Sequence, residues 1–168
     1  MIDQPPPRTV YSYGAWQDKF RDIQENHDVE FIPGLAEVLD KDFFDAAVPT
    51  LLVIDDLAQN VADDTGYSKL FTQGIHHKNV CILLPMRNLY KQGKSMRDVH
   101  LNAQYLILYK NVRDVNQIKV VERQTGLSHL SEAYAAVTKK LHTPLVVDME
   151  PDTPDYLRVR SHIQLSSV

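Results

Sequence analysis

Four apolar runs organise the chain: Thr50-Leu51-Leu52-Val53-Ile54, Val80-Cys81-Ile82-Leu83-Leu84, Tyr105-Leu106-Ile107-Leu108-Tyr109 and Leu145-Val146-Val147-Asp148-Met149. Continuous runs without polar alternation suit strands covered on both faces, so the first three are expected as parallel, buried strands. Helical spacing fills the intervals. Trp16, Phe20 and Ile23 recur through Ala15 to Asn26, and a shorter helix is expected from Tyr67 to Gln73. Val115, Ile118 and Val121 share one face of Val112 to Gln124, which Gly126 stops, and Leu130, Tyr134, Val137 and Leu141 share one face of Ser128 to Leu141. Shorter strands are expected at Thr9 to Tyr13 and Val29 to Ile32, with an edge strand at Tyr156 to Arg160. Leu35, Val38 and Leu39 suggest a short helix after Pro33-Gly34, with Phe43 and Phe44 closing the core there. Strands alternating with helices predict a three-layer α/β sheet in one domain.

Composition narrows this picture only slightly. The 168 residues are 43% hydrophobic and 24% charged, an ordinary balance for a soluble domain. A formal charge of -4 argues against a grip on nucleic acid spread over the whole surface, while leaving room for a local basic patch. Cys81 is the only cysteine and lies in an apolar run, which predicts a buried thiol and an intracellular setting. No stretch approaches the roughly 18 apolar residues of a membrane helix, and the start carries no secretory leader pattern.

The first strong run ends in Asp55 and Asp56. Two carboxylates at the carboxyl end of an apolar strand form the Walker B arrangement. In phosphoryl transfer one acid holds magnesium through its waters, and a second orients the attacking water. Asp55 takes the first role and Asp56 the second. The pattern alone is weakly specific, because an acid that ends a strand also serves to cap a following helix.

The succession around the pair is more specific. Leu70-Phe71-Thr72-Gln73-Gly74-Ile75-His76-His77-Lys78-Asn79 leads into the second apolar run; Asn88-Leu89-Tyr90-Lys91-Gln92-Gly93-Lys94, Arg97-Asp98 and Leu101-Asn102 follow it. Lys110-Asn111-Val112-Arg113-Asp114, Gln117-Ile118 and Arg123-Gln124 come later, with Pro6-Pro7-Arg8 and Tyr13-Gly14-Ala15-Trp16-Gln17 at the entry and Asp152-Thr153-Pro154-Asp155 at the close. From about Arg8 to Ile163 this succession resembles the FtsK/HerA-like packaging ATPases of DNA viruses and of virus-derived elements such as Polinton-type transposons.

The resemblance implies an incomplete P-loop NTPase fold (RecA/FtsK/HerA-like) of three layers with a mostly parallel sheet. Residues 1–7 would be a Pro-rich linker, 8–163 the ATPase core without its Walker A portion, and 164–168 a polar tail. It implies ATP-driven movement of double-stranded DNA into a capsid by a homo-oligomeric ring, with Mg2+ and ATP bound by the complete protein and none by this chain alone. Partners would be double-stranded DNA and capsid proteins, and the setting intracellular, virion-associated or nuclear and cytoplasmic, neither secreted nor membrane-bound. The family's sensor run is typically Thr-Gln-Asn, against Met86-Arg87-Asn88 here, so sensing of the γ-phosphate passes to Asn88 alone; a guanidinium has no acceptor with which to hold water. Arg113 is the candidate arginine finger, with a surface arginine paired to Asp114 or Asp98 as its alternative. Lys91, Lys94 and Arg97 are the candidate DNA contacts, against an ordinary solvated loop.

Gly93-Lys94-Ser95 looks like the end of a Walker A loop, but the spacing Gly-x-x-x-x-Gly-Lys-Ser/Thr would need glycine where Asn88 stands. The acidic pair would also precede the phosphate loop, opposite to the usual order. No other phosphate cradle occurs, so the resemblance is to a protein whose P-loop lies upstream of these residues. In such a sheet the P-loop strand is internal, and its absence would leave an empty slot flanked by Val80 to Leu84 and Leu145 to Met149, with exposed edges. The rival reading is a catalytically silent protein that binds DNA, capsid protein or complete ATPase subunits. His76 and His77 are adjacent and diverge, without metal-site spacing.

Overall fold

The computed structural model describes residues 6–40, 42–57, 71, 78–89, 99–113 and 115–161. They fall in two compact units, drawn from the ranges 4–102 and 103–168. Residues 1–5 and 162–168, which include most of the expected linker and the whole polar tail, lie outside the described residues, as does nearly all of the expected helix Tyr67 to Gln73.

The first unit is built on a four-stranded sheet in the order β2-β1-β3-β4: β1 (Arg8–Tyr13), β2 (Glu30–Pro33), β3 (Thr50–Asp55) and β4 (Val80–Leu83). Every neighbouring pair is parallel. Parallel neighbours need crossover connections, and these take opposite faces of the sheet. Helix α1 (Lys19–Asn26) joins β1 to β2 and packs Phe20 against Tyr11, Tyr13 and Phe31 on one face. Residues 35–49 join β2 to β3 across the other, where Leu35, Val38 and Phe44 are buried with Val10, Ile32, Leu52 and Ile54. Phe43 packs against that cluster as expected, whereas Leu35 to Leu39 form turns in place of a helix, closed by the Leu39 N–H donating to the Leu35 carbonyl.

The second unit is a three-stranded sheet in the order β5-β6-β7, with β5 (Tyr105–Leu108), β6 (Leu145–Asp148) and β7 (Val159–Arg160) all antiparallel. Helices α2 (Asn116–Thr125) and α3 (Leu130–Val137) connect β5 to β6. Gly126 ends α2 at φ 70°, a left-handed C-cap as its position predicted.

Other expectations are also corrected. The alternating strands and helices form two sheets, not one three-layer sheet. The third apolar run is antiparallel, and Tyr105 and Ile107 are exposed while Leu108 is buried. An antiparallel strand can face water on one side, and four apolar residues in a row carry no record of which kind of sheet will take them. Leu145 to Asp148 is the fully buried central strand of its sheet, paired on both sides, so it borders no empty slot. The other expected border does hold an edge position: β4 is the outermost strand of its sheet, Leu83 is 43% exposed, and Cys81 is exposed rather than buried. Among the described residues no helix is long and apolar enough to cross a membrane.

Candidate functional site at the carboxyl edge of the parallel sheet

In an open α/β sheet ligands bind outside the carboxyl ends of the strands, where the order of strands reverses. Here the chain leaves β1 over one face and returns to β3 over the other, so the reversal falls between β1 and β3. Their register sets Tyr13 level with Asp55. Two backbone features close the strands together at that point. The Gly14 N–H donates to the Asp55 carbonyl at 3.2 Å, and a Cβ on Gly14 would stand 2.9 Å from the Asp56 carbonyl oxygen. Only glycine allows so close a passage. Asp56 itself turns out of the strand with φ 57°, a left-handed conformation that Asp tolerates better than most residues.

The two carboxylates have different surroundings. Side chains alternate along a strand, so Tyr11, Tyr13, Phe31 and Asp55 share the face covered by α1. There the Tyr11 hydroxyl donates to Asp55 Oδ2 at 2.6 Å, the length of a charge-assisted bond. The Tyr11 ring is held between Phe20 and Phe31, with centroids 5.1 Å and 5.2 Å away. Burial raises the Tyr11 phenol well above its ordinary value, and the hydrogen bond to Asp55 and the carboxylate's charge raise it further. Asp56 is exposed.

β4 runs parallel to β3 and ends with Leu83 level with Val53, and Asn88 follows five residues after that strand end. Asp55 and Asp56 stand together at the carboxyl end of β3. Arg113 belongs to the other unit, exposed, its backbone N–H donating to Asn111 Oδ1 at 3.0 Å. The basic candidates Lys91, Lys94 and Arg97, the Gly93-Lys94-Ser95 run and the pair His76 and His77 lie outside the described residues.

Among the described residues no cluster of three His, Cys, Asp or Glu side chains is close enough to hold a metal by protein ligands alone. Magnesium needs less. It keeps several waters and takes one or two carboxylates together with substrate phosphates, a demand the adjacent acids meet in donor type. Tyr11 and Gly14 were absent from the sequence-level site. Nothing in a Tyr-Ser-Tyr-Gly stretch tells which strand will lie beside it, and both roles depend on the β1–β3 register.

No protein-family model matches the chain, and neither the curated proteins nor the solved structures contain a match to it.

Proposed function

We propose that the chain is part of a P-loop ATPase that moves double-stranded DNA, of the FtsK/HerA-like packaging kind. The supporting observation is the pair Asp55-Asp56 at the carboxyl end of an internal parallel strand, beside the reversal of strand order. Asp55 would hold magnesium through water and Asp56, exposed and turned out of the strand, would orient the attacking water. Asn88 would be the sensor, Arg113 the candidate finger toward a neighbour's nucleotide, and Lys91, Lys94 and Arg97 the candidate DNA contacts. The 168 residues contain no Gly-x-x-x-x-Gly-Lys-Ser/Thr, so the amides and lysine that cradle the phosphates would come from sequence beyond them. ATP and Mg2+ would then be bound by the complete protein, acting on DNA and a capsid partner.

A second reading is a catalytically silent binding protein derived from such an ATPase. The bond from Tyr11 favours it, because Asp55 Oδ2 already has a partner inside the fold. The transcript upstream of Met1 separates the two. The motor reading expects an in-frame strand followed by Gly-x-x-x-x-Gly-Lys-Ser/Thr, and a product whose magnesium-dependent ATP turnover falls at least about 100-fold in Asp55→Asn, the order lost when a transition-state electrostatic group is removed. A transcript with no cradle, or a product without turnover, would leave the silent reading, and turnover that survives the substitution would remove Asp55 from the site. The 168-residue chain alone is expected to show no turnover above background; activity that vanishes in Asp55→Ala would redirect attention to Lys94.

A further inference from the structure

Asp55 and Asp56 differ in how many carboxylate oxygens they offer. A carboxylate has two oxygens, and a cation can take one of them or both. On Asp55 that choice is narrowed. Tyr11 lies level with Val53 and Asp55 with Tyr13, so the phenol reaches diagonally across the β1–β3 pairing and donates to Asp55 Oδ2 at 2.6 Å. Among the described residues nothing bonds to Asp55 Oδ1 or to either carboxylate oxygen of Asp56. The phenol is itself fixed. Its ring packs against Phe20 on α1 and Phe31 on β2, at 5.1 Å and 5.2 Å between centroids, and those two rings pack on each other at 5.3 Å. Swinging the hydroxyl away from Oδ2 would break this triangle of aromatic contacts.

Mg2+ and Ca2+ make different demands on such a group. Mg2+ is small and octahedral, keeps several of its waters, and asks of a carboxylate one oxygen or a hydrogen bond to a bound water. Ca2+ gathers about six to eight oxygens and often spans both oxygens of one carboxylate. A phenol on Oδ2 therefore takes nothing from Mg2+ approaching Oδ1. It takes a ligand from Ca2+, because two-oxygen binding at Asp55 has to displace or weaken a charge-assisted hydrogen bond. Asp56, exposed and unheld, presents both oxygens to either ion and does not discriminate.

We propose that Tyr11 sets the cation selectivity of the acidic pair: its hydroxyl holds Asp55 to one available oxygen, which suits hydrated Mg2+ and disfavours Ca2+. The inference rests on the magnesium role given to Asp55 above. Selectivity is a difference between two affinities, and here it comes from spoiling the site for the larger ion. Tyr11 touches the carboxylate and not the ion, so it is a positioning residue.

Amide NMR titrations of the 168-residue chain with magnesium chloride and with calcium chloride, without nucleotide, follow binding at Asp55 and Asp56. Weak binding, in the millimolar range, is expected in the wild type. Tyr11→Phe keeps the ring and removes the hydroxyl. Its Ca2+ affinity should rise about ten-fold, the factor a hydrogen bond to a charged group is worth, while its Mg2+ affinity stays nearly level. A bond with only a structural role would shift both ions together or neither. The same preference between the ions in wild type and Tyr11→Phe overturns the proposal and leaves the magnesium role of Asp55 standing. Resonances of Asp55 and Asp56 that move with neither ion overturn both. The spectra also report whether Tyr11→Phe is folded, and a second measurement needs no change at Tyr11. Infrared difference spectra of the calcium-loaded wild type against Asp55→Asn read, from the separation of the symmetric and antisymmetric carboxylate stretches, whether Asp55 uses one oxygen or two. One is expected; a two-oxygen signature overturns the proposal.

Discussion

Asp55 and Asp148 end strands of nearly the same make-up, Leu51-Leu52-Val53-Ile54-Asp55 and Leu145-Val146-Val147-Asp148, yet the fold treats them differently. Asp148 is buried and fully compensated. Its carboxylate pairs with Arg160 on the neighbouring β7 and also accepts from the Glu150 N–H at 3.0 Å. Asp55 sits half-buried, held by one neutral phenol, with exposed Asp56 beside it. A carboxylate closed by an arginine and a backbone amide has no remaining demand for a cation. One held by a hydroxyl keeps its charge uncancelled, and a second acid next to it adds to the field. An apolar strand ending in Asp is therefore no evidence of a metal site by itself; what separates the two is how the charge is balanced across the strand pairing.

The comparison breaks most readily at Arg160. Arg160→Ala leaves the Asp148 charge buried without its cation, and the loss should be about 3–5 kcal/mol in urea denaturation; a loss below about 1 kcal/mol would show that Asp148 is not the compensated acid described above. Next in size is Gly14→Ala, which drives a methyl group into the Asp56 carbonyl and should cost about 1–3 kcal/mol. An unchanged urea midpoint would mean that β1 and β3 do not converge so tightly at the candidate site.

Tyr11→Phe should cost about 1.5–3 kcal/mol, the range for a hydrogen bond to a charged group, and its signature lies in pH. The folded phenol titrates above its ordinary value of 10.0, chiefly through burial and then through Asp55. The folded protein consequently keeps a proton that the unfolded chain sheds. Stability from this group is full below about pH 10 and declines as pH rises beyond it toward the folded value. Urea midpoints taken from pH 8 to 11 should fall in the wild type and fall less in Tyr11→Phe; parallel curves would remove Tyr11 from the account. The smallest effect is the most informative about function. Asp56 holds a left-handed conformation that glycine adopts without strain, so Asp56→Gly should stabilise the fold by about 0.5 kcal/mol. A gain, read from the thermal midpoint, marks an acid kept for something other than stability, as the water-orienting role requires. A loss assigns Asp56 to the fold.

Asp55 and Asp56 could be read as a site candidate because the signal is local: an apolar run and then two acids need no knowledge of neighbours. Their partner Tyr11 could not, since it lies 44 positions away and meets Asp55 only through one parallel register. Cys81 failed for a related reason. Its run is apolar enough for a buried strand, but side chains alternate between the faces of β4, and Val80 is buried on one face while Cys81 and Leu83 are exposed on the other.

By itself the amino-acid sequence determined where most of the described strands and helices form, because periodicity, β-branched content and stop signals such as Gly126 act within a few residues. It also determined that the acids stand at the end of the strongest strand. Only the tertiary structure decided that the strands divide between a parallel and an antiparallel sheet, that Leu145 to Asp148 is central and Val80 to Leu83 an edge, and that Arg160 neutralises one strand-ending acid while Tyr11 merely holds the other. Those outcomes are set by pairing between distant segments, and the energy of a pairing depends on both strands and on what covers them, which no single stretch of sequence contains.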